Sequence, residues 1–338
     1  MKRKMKLGIG ICIVIDFCMA LFLFLSYGPI DYFRELLITT AMTTKSHHYL
    51  ARTLYDEKTI VAVMSQNYVG EIQDNTDTSH IKLEEIQEQE YYESKYEEQI
   101  LKKEEGNDLY KLIPISGNSY KGHLVAIYDP TRIELVTSKY LGTSGQFLQQ
   151  MSKENDAIVA MNASGFIDLN ERGNGGTPTG RIIKDGKLIW TGKDTGYGGG
   201  LAGFTKDGIL MLTHDTAENA IQKGLWDAVE FGPFLIVNGK KAPMQGNGGW
   251  GISSRTVLGQ RQDGIVLFLV IDGRQPGYSL GASLVEVTNI MLRYKAYNAV
   301  NLDGGASSSL NINSKIVSKP SGISATGERM MPTAWIVK

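Results

Sequence analysis

Cysteine is nearly absent from the 338-residue sequence, which contains only Cys12 and Cys18, both within an apolar N-terminal run. The rest of the chain therefore has no disulfide bond and no thiolate metal site. A cysteine-free exported region on a chain of this size is more typical of a bacterial surface protein than of a small secreted animal domain. Its stability must come from a hydrophobic core, which a region of more than ~200 residues supplies.

A large net charge is also absent. The formal charge of −1 excludes a strongly basic nucleic-acid-binding protein, and a hydrophobic content of 42% excludes a disordered chain. The near-neutral total conceals an uneven distribution. Residues 73–108 carry 12 acidic against 4 basic side chains, whereas residues 109–338 carry 23 basic against 18 acidic ones. An acidic segment therefore precedes a mildly cationic C-terminal region.

One long apolar run, Leu7–Ser26, covers 20 residues, enough for a helix to cross the ~30 Å hydrocarbon core of a membrane. Four of the first six residues are basic: Lys2, Arg3, Lys4 and Lys6. No small-x-small cleavage site closes the run, which predicts an uncleaved signal anchor. Positive charge before the run predicts a cytoplasmic N-terminus and an extracellular C-terminal domain. The alternatives are a cleaved signal peptide and a buried core helix. Asp16 inside the run is costly in lipid, so we expect it to be protonated or to face a membrane partner helix.

The segment after the anchor combines helical spacing with acidic charge. Residues 30–65 show apolar residues at helical intervals, and acidic pairs such as Glu84-Glu85 follow. We interpret this region as a helical stalk and a solvated acidic linker. The predicted organisation is therefore 1–27 cytoplasmic tail and transmembrane anchor, 28–109 stalk and linker, and 110–338 the main domain.

From about Tyr110 the sequence alternates short apolar strands with turns, and 33 of the 38 glycines follow residue 115. The predicted strands are Leu124–Tyr128, Ile133–Thr137, Ala157–Met161, Ile182–Ile183, Ile209–Leu212, Phe234–Val237, Ile265–Ile271 and Ala299–Leu302. Hairpin turns are predicted at Asp185-Gly186, Asp207-Gly208, Asn238-Gly239 and Asp263-Gly264. Helices are predicted over Ser144–Asn155 and Ser283–Tyr297. The expected fold is α+β: a mixed β-sheet domain with packed helices, preceded by the transmembrane helix and stalk.

Most familiar catalytic signatures are missing. The sequence has no G-x-S-x-G elbow, no H-E-x-x-H pair and no G-x-x-x-x-G-K-[ST] loop. A G-x-G-x-x-G match at Gly246, Gly248 and Gly251 lacks the strand and helix that a dinucleotide site requires, so we interpret it as a loop.

Polar clusters at strand ends carry the chemistry instead. Asn162 ends one buried strand, either pointing into a crevice or capping a turn. Arg255 and Thr256 place a guanidinium beside hydroxyl groups, an arrangement suited to phosphate, although an ion-paired surface arginine fits equally. Asp272, followed by Gly273 and Arg274, places a carboxylate at the mouth of the most apolar strand.

A second carboxylate, Asp303, follows the last predicted strand and leads into a small-residue turn. The turn contains Gly304, Gly305, Ser307 and Ser308. Successive backbone N–H groups in such a turn can form an anion-binding nest. Glu286 is explained more simply, because Ser283 and Glu286 have the spacing of a helix capping box.

In this order, these segments resemble the phosphodiester glycosidase family over about residues 110–338. The matching stretches are 162–166, 231–234, 255–259, 272–274, 281–286, 301–308 and Glu328-Arg329. Ala163, Ser164 and Ala306 stand where the family pattern has glycines, so we expect preserved loops and a pocket that differs in detail. The resemblance implies a hydrolase that cleaves a sugar from a phosphodiester through its anomeric carbon, typically N-acetylglucosamine-1-phosphate.

The residues fit that chemistry. A phosphate leaving group needs cationic and N–H stabilisation, which Arg255 and the predicted nest offer, while the sugar needs a carboxylate. Asp303 is the first candidate for that carboxylate and Asp272 the second. The predicted substrate-binding residues are Asn162, Thr256, Arg274, Gly304, Gly305, Ser307, Ser308, Glu328 and Arg329.

Partners and cofactors are predicted with alternatives. The expected substrate is an envelope glycan or sugar-phosphate polymer, with the membrane contacted through Leu7–Ser26 and no role for nucleic acid. A non-catalytic envelope polysaccharide-binding or exopolysaccharide-assembly protein on the same fold is the alternative. Asp272, Asp303, Asn162 and Asn301 offer oxygen ligands of the kind that Ca²⁺ or Mg²⁺ prefers, but no EF-hand spacing is present, so metal binding stays open.

Overall fold

The computed structural model describes residues 2–44, 47–83, 91–168, 173–193 and 198–338, so the predicted linker pair Glu84-Glu85 lies outside the described residues. The helices are α1 (Lys2–Tyr27), α2 (Asp31–Thr43), α3 (His48–Leu54), α4 (Glu57–Gln66), α5 (Lys95–Leu101), α6 (Leu148–Glu154), α7 (Ala217–Gln222) and α8 (Leu284–Arg293). Short 3₁₀ turns occupy Thr78–His80, Pro130–Arg132 and Gly305–Ser307.

The strands begin with β1 (Tyr68–Val69), β2 (Tyr110–Ser116), β3 (Lys121–Ile127), β4 (Ile133–Thr137), β5 (Val159–Asn162), β6 (Arg181–Lys184), β7 (Lys187–Thr191), β8 (Gly200–Thr205), β9 (Leu210–Thr213) and β10 (Leu225–Phe231). They continue with β11 (Phe234–Val237), β12 (Lys240–Lys241), β13 (Met244–Gln245), β14 (Arg255–Arg261), β15 (Val266–Ile271), β16 (Ala296–Asn301), β17 (Leu310–Ile312), β18 (Lys315–Ile316) and β19 (Thr333–Val337). Each predicted strand and both predicted helices are present; Ile133–Thr137 and Phe234–Val237 have the predicted ends, and the ends of the others are shifted.

Three larger sheets organise these strands. One has the order β12-β11-β16-β14-β15-β3-β2, a second β7-β6-β10-β8-β9 and a third β18-β17-β5-β19-β4, while β1 pairs with β13. All pairings among the described residues are antiparallel. The α+β class is confirmed. Strands β2 to β4 are integrated into the same sheets as later strands.

The four predicted turn dipeptides each join two antiparallel neighbours. Asp185 and Gly186 have φ values of 52° and 68°, and they connect β6 to β7. Both residues need the left-handed region that an Asp-Gly turn tolerates, which is why this dipeptide marks a tight hairpin. The hairpin prediction is confirmed.

The main core lies where the faces of the three sheets meet. Phe268 and Val270 of β15 face this core with Trp335 of β19, whose ring lies edge-on to Phe204 at 5.3 Å. The intervening side chains Leu267 and Leu269 face the other side of β15, which α8 and α5 cover. Burial on both faces explains the uninterrupted apolar run of this strand.

The apolar helix α1 and the helices after it form a separate layer. Ile9–Tyr27 has a mean hydropathy of 2.6, which by length and composition suits a membrane span or a signal sequence. Helices α2, α3 and α4 share a small core that includes Ile38, Ala51 and Ile60.

The region predicted as a stalk and linker lies against the domain wherever the structure describes it. Thr40 Oγ1 accepts a hydrogen bond from Ile252 N at 3.1 Å, which attaches α2 to the loop before β14. Farther along, Ile100 and Leu101 of α5 are buried in the core beneath α8. Apolar residues within the acidic segment account for this packing, which net charge alone does not predict.

Candidate active site

A cavity of about 1240 Å³ lies between helices α2 to α4 and the loops at the strand ends of the domain. We call its charged and hydroxyl-bearing lining the polar floor: Asp168, Arg255, Arg274, Asp303, Gly304, Gly305, Ser307 and Arg329. We call its opposite lining the helical wall: Phe33, Leu36, Leu37, Ala41, Met42, Leu50 and Met64. His47 and His48 also line the cavity between α2 and α3.

Asp303 lies on the polar floor because two strand ends meet beneath it. Strand β16 ends at Asn301, and the chain turns so that Asn162 Nδ2, at the end of β5, donates to the Asp303 carbonyl at 2.7 Å. The Asp303 N–H in turn donates to the carbonyl of Ala163 at 3.4 Å. The predicted first carboxylate is therefore half-buried, held by its backbone, and on the cavity surface.

Asn162, Thr256 and Ser308 form a buried network beneath this turn. Asn162 Oδ1 accepts from Thr256 Oγ1 at 2.9 Å and from Ser309 N at 3.0 Å, and Thr256 Oγ1 lies 3.1 Å from Ser308 Oγ. The three predicted substrate-binding residues are not among those that line the cavity. Their hydrogen bonds fix the position of the Asp303 turn, because buried polar groups are costly unless they are paired.

Arg255 is the buried member of the polar floor. Its Nε donates to the carbonyl of Ala282 at 2.9 Å, and Nη2 donates to the carbonyls of Trp250 and Gly251 at 2.8 Å each. Burial, and then the charge of nearby Arg274, lower the pKa of Arg255. The side chain is thus neither an exposed nor an ion-paired arginine, the alternative that the sequence left open. Two guanidinium groups close together favour an anion on this floor.

Arg274 is exposed to the cavity and is held there by an unusual backbone. Its φ is +59° and that of Gly305 is +61°, both in the left-handed region. A Cβ at Gly305 would lie 2.7 Å from Arg274 Nη2, so only glycine admits the guanidinium at this distance. The sequence predicted both residues as part of one site, and the structure brings them together.

Arg329 completes the cationic part of the floor. Its Nη1 lies 2.7 Å from Asp168 Oδ2, its Nη2 donates to the carbonyl of Gly173 at 3.3 Å, and the guanidinium lies 4.8 Å from the centre of the Phe166 ring. Sequence reasoning missed Asp168. The available signal was its position two residues after the matching stretch 162–166.

The neighbouring Glu328 points away from the cavity lining. Its Oε1 accepts from Gln149 N in the first turn of α6 at 3.3 Å, and its Oε2 accepts from Thr326 Oγ1 at 3.3 Å. Burial raises the pKa of Glu328 above its usual value. It holds the loop that carries Arg329.

Asp272, the second predicted catalytic carboxylate, also lies outside the cavity lining. Its Oδ2 accepts from Tyr278 Oη at 2.9 Å and its Oδ1 accepts from Lys319 N at 2.8 Å. Burial raises the pKa of Asp272, and these two hydrogen bonds offset part of the rise. Both oxygens therefore connect two loops near the floor, and the structure does not bring Asp272 to the cavity with Asp303.

The predicted anion nest is largely closed by its own turn. The N–H of Gly305 donates to the carbonyl of Ser254 at 2.9 Å, that of Ser307 to Gly304 at 3.1 Å and that of Ser308 to Gly305 at 3.2 Å. A 3₁₀ turn uses its N–H groups internally, so these three are not available to a phosphate. The guanidinium groups of the floor, more than the backbone, supply positive charge.

Asn301 Nδ2 donates to the carbonyl of Gly232 at 2.9 Å, but its buried Oδ1, in a residue that lines the cavity, has no hydrogen-bond partner. An unpaired buried acceptor suits a hydroxyl donor from a ligand. Within the described residues, no group of three or more His, Cys, Asp or Glu side chains is arranged to hold a metal ion.

Comparison with known proteins adds independent information. The family profile described as phosphodiester glycosidase matches residues 155–338. A SPbeta prophage-derived uncharacterized protein of Bacillus subtilis is 31% identical over 189 residues, which cover 54% of this chain and 28% of that protein. Mouse N-acetylglucosamine-1-phosphodiester alpha-N-acetylglucosaminidase is 24% identical over 230 residues, which cover 61% of this chain and 42% of the enzyme. The chain thus spans less than half the length of these relatives.

A solved structure has a similar fold. It is the zebrafish N-acetylglucosamine-1-phosphodiester alpha-N-acetylglucosaminidase catalytic domain, auto-inhibited by its pro-peptide, with a TM-score of 0.54 and 21% identity. The likeness covers 68% of this chain and 81% of the zebrafish domain.

Proposed function

The chain belongs to the phosphodiester glycosidase family, and on that premise we propose that residues 110–338 hydrolyse a sugar-1-phosphodiester of the N-acetylglucosamine-1-phosphate type. The observation that carries this proposal is the meeting of Asp303 with the guanidinium groups of Arg274 and Arg329 on one polar floor. A carboxylate and fixed cations are the two parts that such a reaction needs.

The reaction breaks the bond between the anomeric carbon and the phosphate oxygen. The phosphate departs with the bonding electrons, and the oxygen of water joins the anomeric carbon, with its proton going to solvent or phosphate. A phosphomonoester has a second pKa near ~6, so it departs without a strong acid. Arg274 and Arg329 stabilise the charge that develops on it, and Asp303 stabilises the positive sugar carbon or activates the water.

Other predicted site residues act by position. Asn162 and Thr256 hold the Asp303 turn through buried hydrogen bonds, and Asp272 joins the loops beside Arg274. The family's glycine positions that carry Ala163 and Ser164 here are buried and lie outside the cavity lining. These two substitutions therefore do not fill the substrate site, whereas Ala306, the third departure, lines the cavity with a single methyl group.

The location of the activity follows from α1. If its apolar run is the anchor that its length and composition allow, the domain acts at the outer face of a cell membrane on an envelope glycan or sugar-phosphate polymer. Expressing the chain with a C-terminal reporter that is active only outside the cytoplasm tests this topology.

Turnover by the full chain tests the activity. We expect Asp303→Asn to lower kcat/KM for a sugar-1-phosphodiester by about a thousandfold, within the range for loss of an acid–base or nucleophilic carboxylate. The matched control is Asp207→Asn, because Asp207 is an exposed turn residue remote from the cavity lining. Full activity in Asp303→Asn contradicts the site assignment, and glycan binding without turnover by wild type favours the non-catalytic alternative.

A further inference from the structure

The cavity is larger and more apolar than a sugar phosphate requires. Pockets that enclose drug-sized ligands have volumes of roughly 300–1,000 Å³, and this cavity has about 1240 Å³. The polar floor occupies one side of it. The additional space lies against the helical side of the cavity, where the apolar side chains of the helical wall outnumber the polar lining residues Thr40, Thr43, Thr44, His47 and His48.

The rim of the cavity exposes apolar side chains to solvent. Leu50 of α3 is 43% exposed, Leu280 is 50% exposed and Ile323 is 95% exposed, and all three line the cavity. Apolar surface gathered at the mouth of a cavity is typical of a site that receives an apolar ligand.

The helical wall is continuous with the apolar N-terminal helix. Helix α1 ends at Tyr27 and α2 begins at Asp31, so only three residues separate the two. The Phe33 ring of the wall lies edge-on to Phe22 of α1, with centroids 6.5 Å apart. A hydrocarbon chain that extends from the cavity along this wall reaches the surface of α1, and therefore lipid when α1 is in a membrane.

We propose that the substrate is amphiphilic: a sugar-1-phosphodiester whose second ester group is a long hydrocarbon alcohol, with the phosphate on the polar floor and the hydrocarbon on the helical wall. This inference rests on the proposed function. Hydrolysis breaks the bond between the anomeric carbon and oxygen, adds the oxygen of water to the sugar and leaves a lipid phosphomonoester in the membrane. Dispersion and burial of methylene groups against Leu36, Leu37 and Leu50 supply the selectivity.

Two esters with the same reacting bond test the inference. The full chain in phospholipid vesicles is given the hexadecyl or the methyl ester of N-acetylglucosamine-1-phosphate, and release of the sugar is measured. We expect kcat/KM to be about a hundredfold higher for the hexadecyl ester, the effect of burying a few methylene groups. Equal values for the two esters overturn the inference and leave the proposed function standing.

A preference for the hexadecyl ester could also arise because this ester is concentrated in the vesicle membrane. Variants of the wall distinguish that effect from binding to the wall. Leu50→Asp places a charge on the exposed rim, and we expect it to lower the ratio of hexadecyl to methyl ester turnover at least tenfold. Val61→Asp is the matched control, because Val61 is 57% exposed on α4 and does not line the cavity. A preference that survives Leu50→Asp unchanged overturns the inference.

A binding measurement tests the inference without relying on turnover. Equilibrium binding of both esters to the Asp303→Asn variant measures the preference without turnover. We expect tighter binding of the hexadecyl ester, and we expect this preference to disappear when Leu50→Asp is added but to remain when Val61→Asp is added. This result supports the inference even if the wild-type chain does not hydrolyse either ester and the proposed function is therefore wrong. Equal binding of the two esters overturns it.

Discussion

The polar floor and the helical wall of the cavity are built in different ways. The floor consists of charged side chains at strand ends, held by a buried network in which Asn162 alone makes three hydrogen bonds. The wall consists of apolar side chains on helices that share a small core of their own. Hydrogen bonds are directional, so they hold the side chains of the floor in one geometry. Apolar packing is not directional, so it keeps the wall apolar without fixing the position of each side chain.

The two also differ in their relation to the family. The floor lies within residues 155–338, which the family profile matches, whereas the wall lies within residues 31–66 and outside that match. Under the two proposals above, the floor would carry the reaction and the wall would select the substrate. Each variant below tests one side of this comparison.

Removing a cation from the floor has the largest expected effect. We expect Arg274→Ala to lower kcat/KM for the methyl ester by about 10²–10³-fold, as loss of a preorganised donor to developing charge does elsewhere. The control is Arg132→Ala, since Arg132 is exposed and does not line the cavity. Unchanged turnover in Arg274→Ala contradicts the idea that the floor stabilises the departing phosphate.

Breaking the network under the floor comes next. Asn162→Ala removes the partner of Ser309 N and of the Asp303 carbonyl and one of the two partners of Thr256 Oγ1, and we expect the free energy of unfolding to fall by about 3 kcal/mol. Thermal unfolding and turnover measured together check this, because a displaced Asp303 turn also lowers kcat. Asn289→Ala is the control on the exposed face of α8. If stability is retained, the network does not hold the floor.

Much of the floor was predictable, because strand ends and turns leave local signals. Apolar runs that end in Asn162 and Asp303 indicated two polar strand ends, and Asp-Gly dipeptides indicated hairpins. Local sequence does not show which hydrogen bonds a side chain makes. Asp272 therefore stayed a catalytic candidate, although both its oxygens accept hydrogen bonds from Tyr278 and Lys319 outside the cavity lining.

The wall was not predictable, although its helices were. Helical spacing over residues 30–65 is a local pattern, and it produced the right elements. Docking depends on contacts between residues some two hundred positions apart, such as Thr40 with Ile252, which periodicity does not encode. The loop at Gly246, Gly248 and Gly251 was predicted only as a loop, and its contact with Thr40 of α2 became visible only in the fold.

Detaching the wall has a smaller expected effect, confined to one side of the cavity. Gly251 has φ +55°, and a Cβ there would overlap the backbone of Thr40 on α2. We expect Gly251→Ala to speed proteolysis within residues 28–66 and to lower the ratio of hexadecyl to methyl ester turnover. Gly106→Ala is the matched control, because Gly106 has φ +76° with no neighbouring atom within 4 Å of its Cβ position. If residues 28–66 resist proteolysis in Gly251→Ala as they do in wild type, this contact does not hold α2 against the domain.

The smallest expected effect is a pH dependence of the free energy of unfolding that comes from Glu328, which holds the loop that carries Arg329. Burial raises the pKa of Glu328, so the folded protein holds that proton more tightly than the unfolded chain, whose glutamate has a pKa near 4.5. The stabilisation is complete below pH 4.5 and is lost as the pH rises through the raised pKa of the folded state.

Glu328→Gln has no proton to lose at this position and keeps an oxygen that can accept from Gln149 N. We therefore expect the variant to gain stability relative to wild type between pH 4 and 7, by about 1 kcal/mol for each unit of pKa shift. Urea unfolding of the full chain in detergent at a series of pH values measures the difference. Burial also raises the pKa of Asp272, but this residue is present in both proteins, so its contribution to the pH dependence cancels in the difference. The exposed control is Glu105→Gln. If the free energy of unfolding of wild type and of both variants depends on pH in the same way, Glu328 holds the Arg329 loop without a buried proton. The stability of the floor is then no more sensitive to pH than that of the wall.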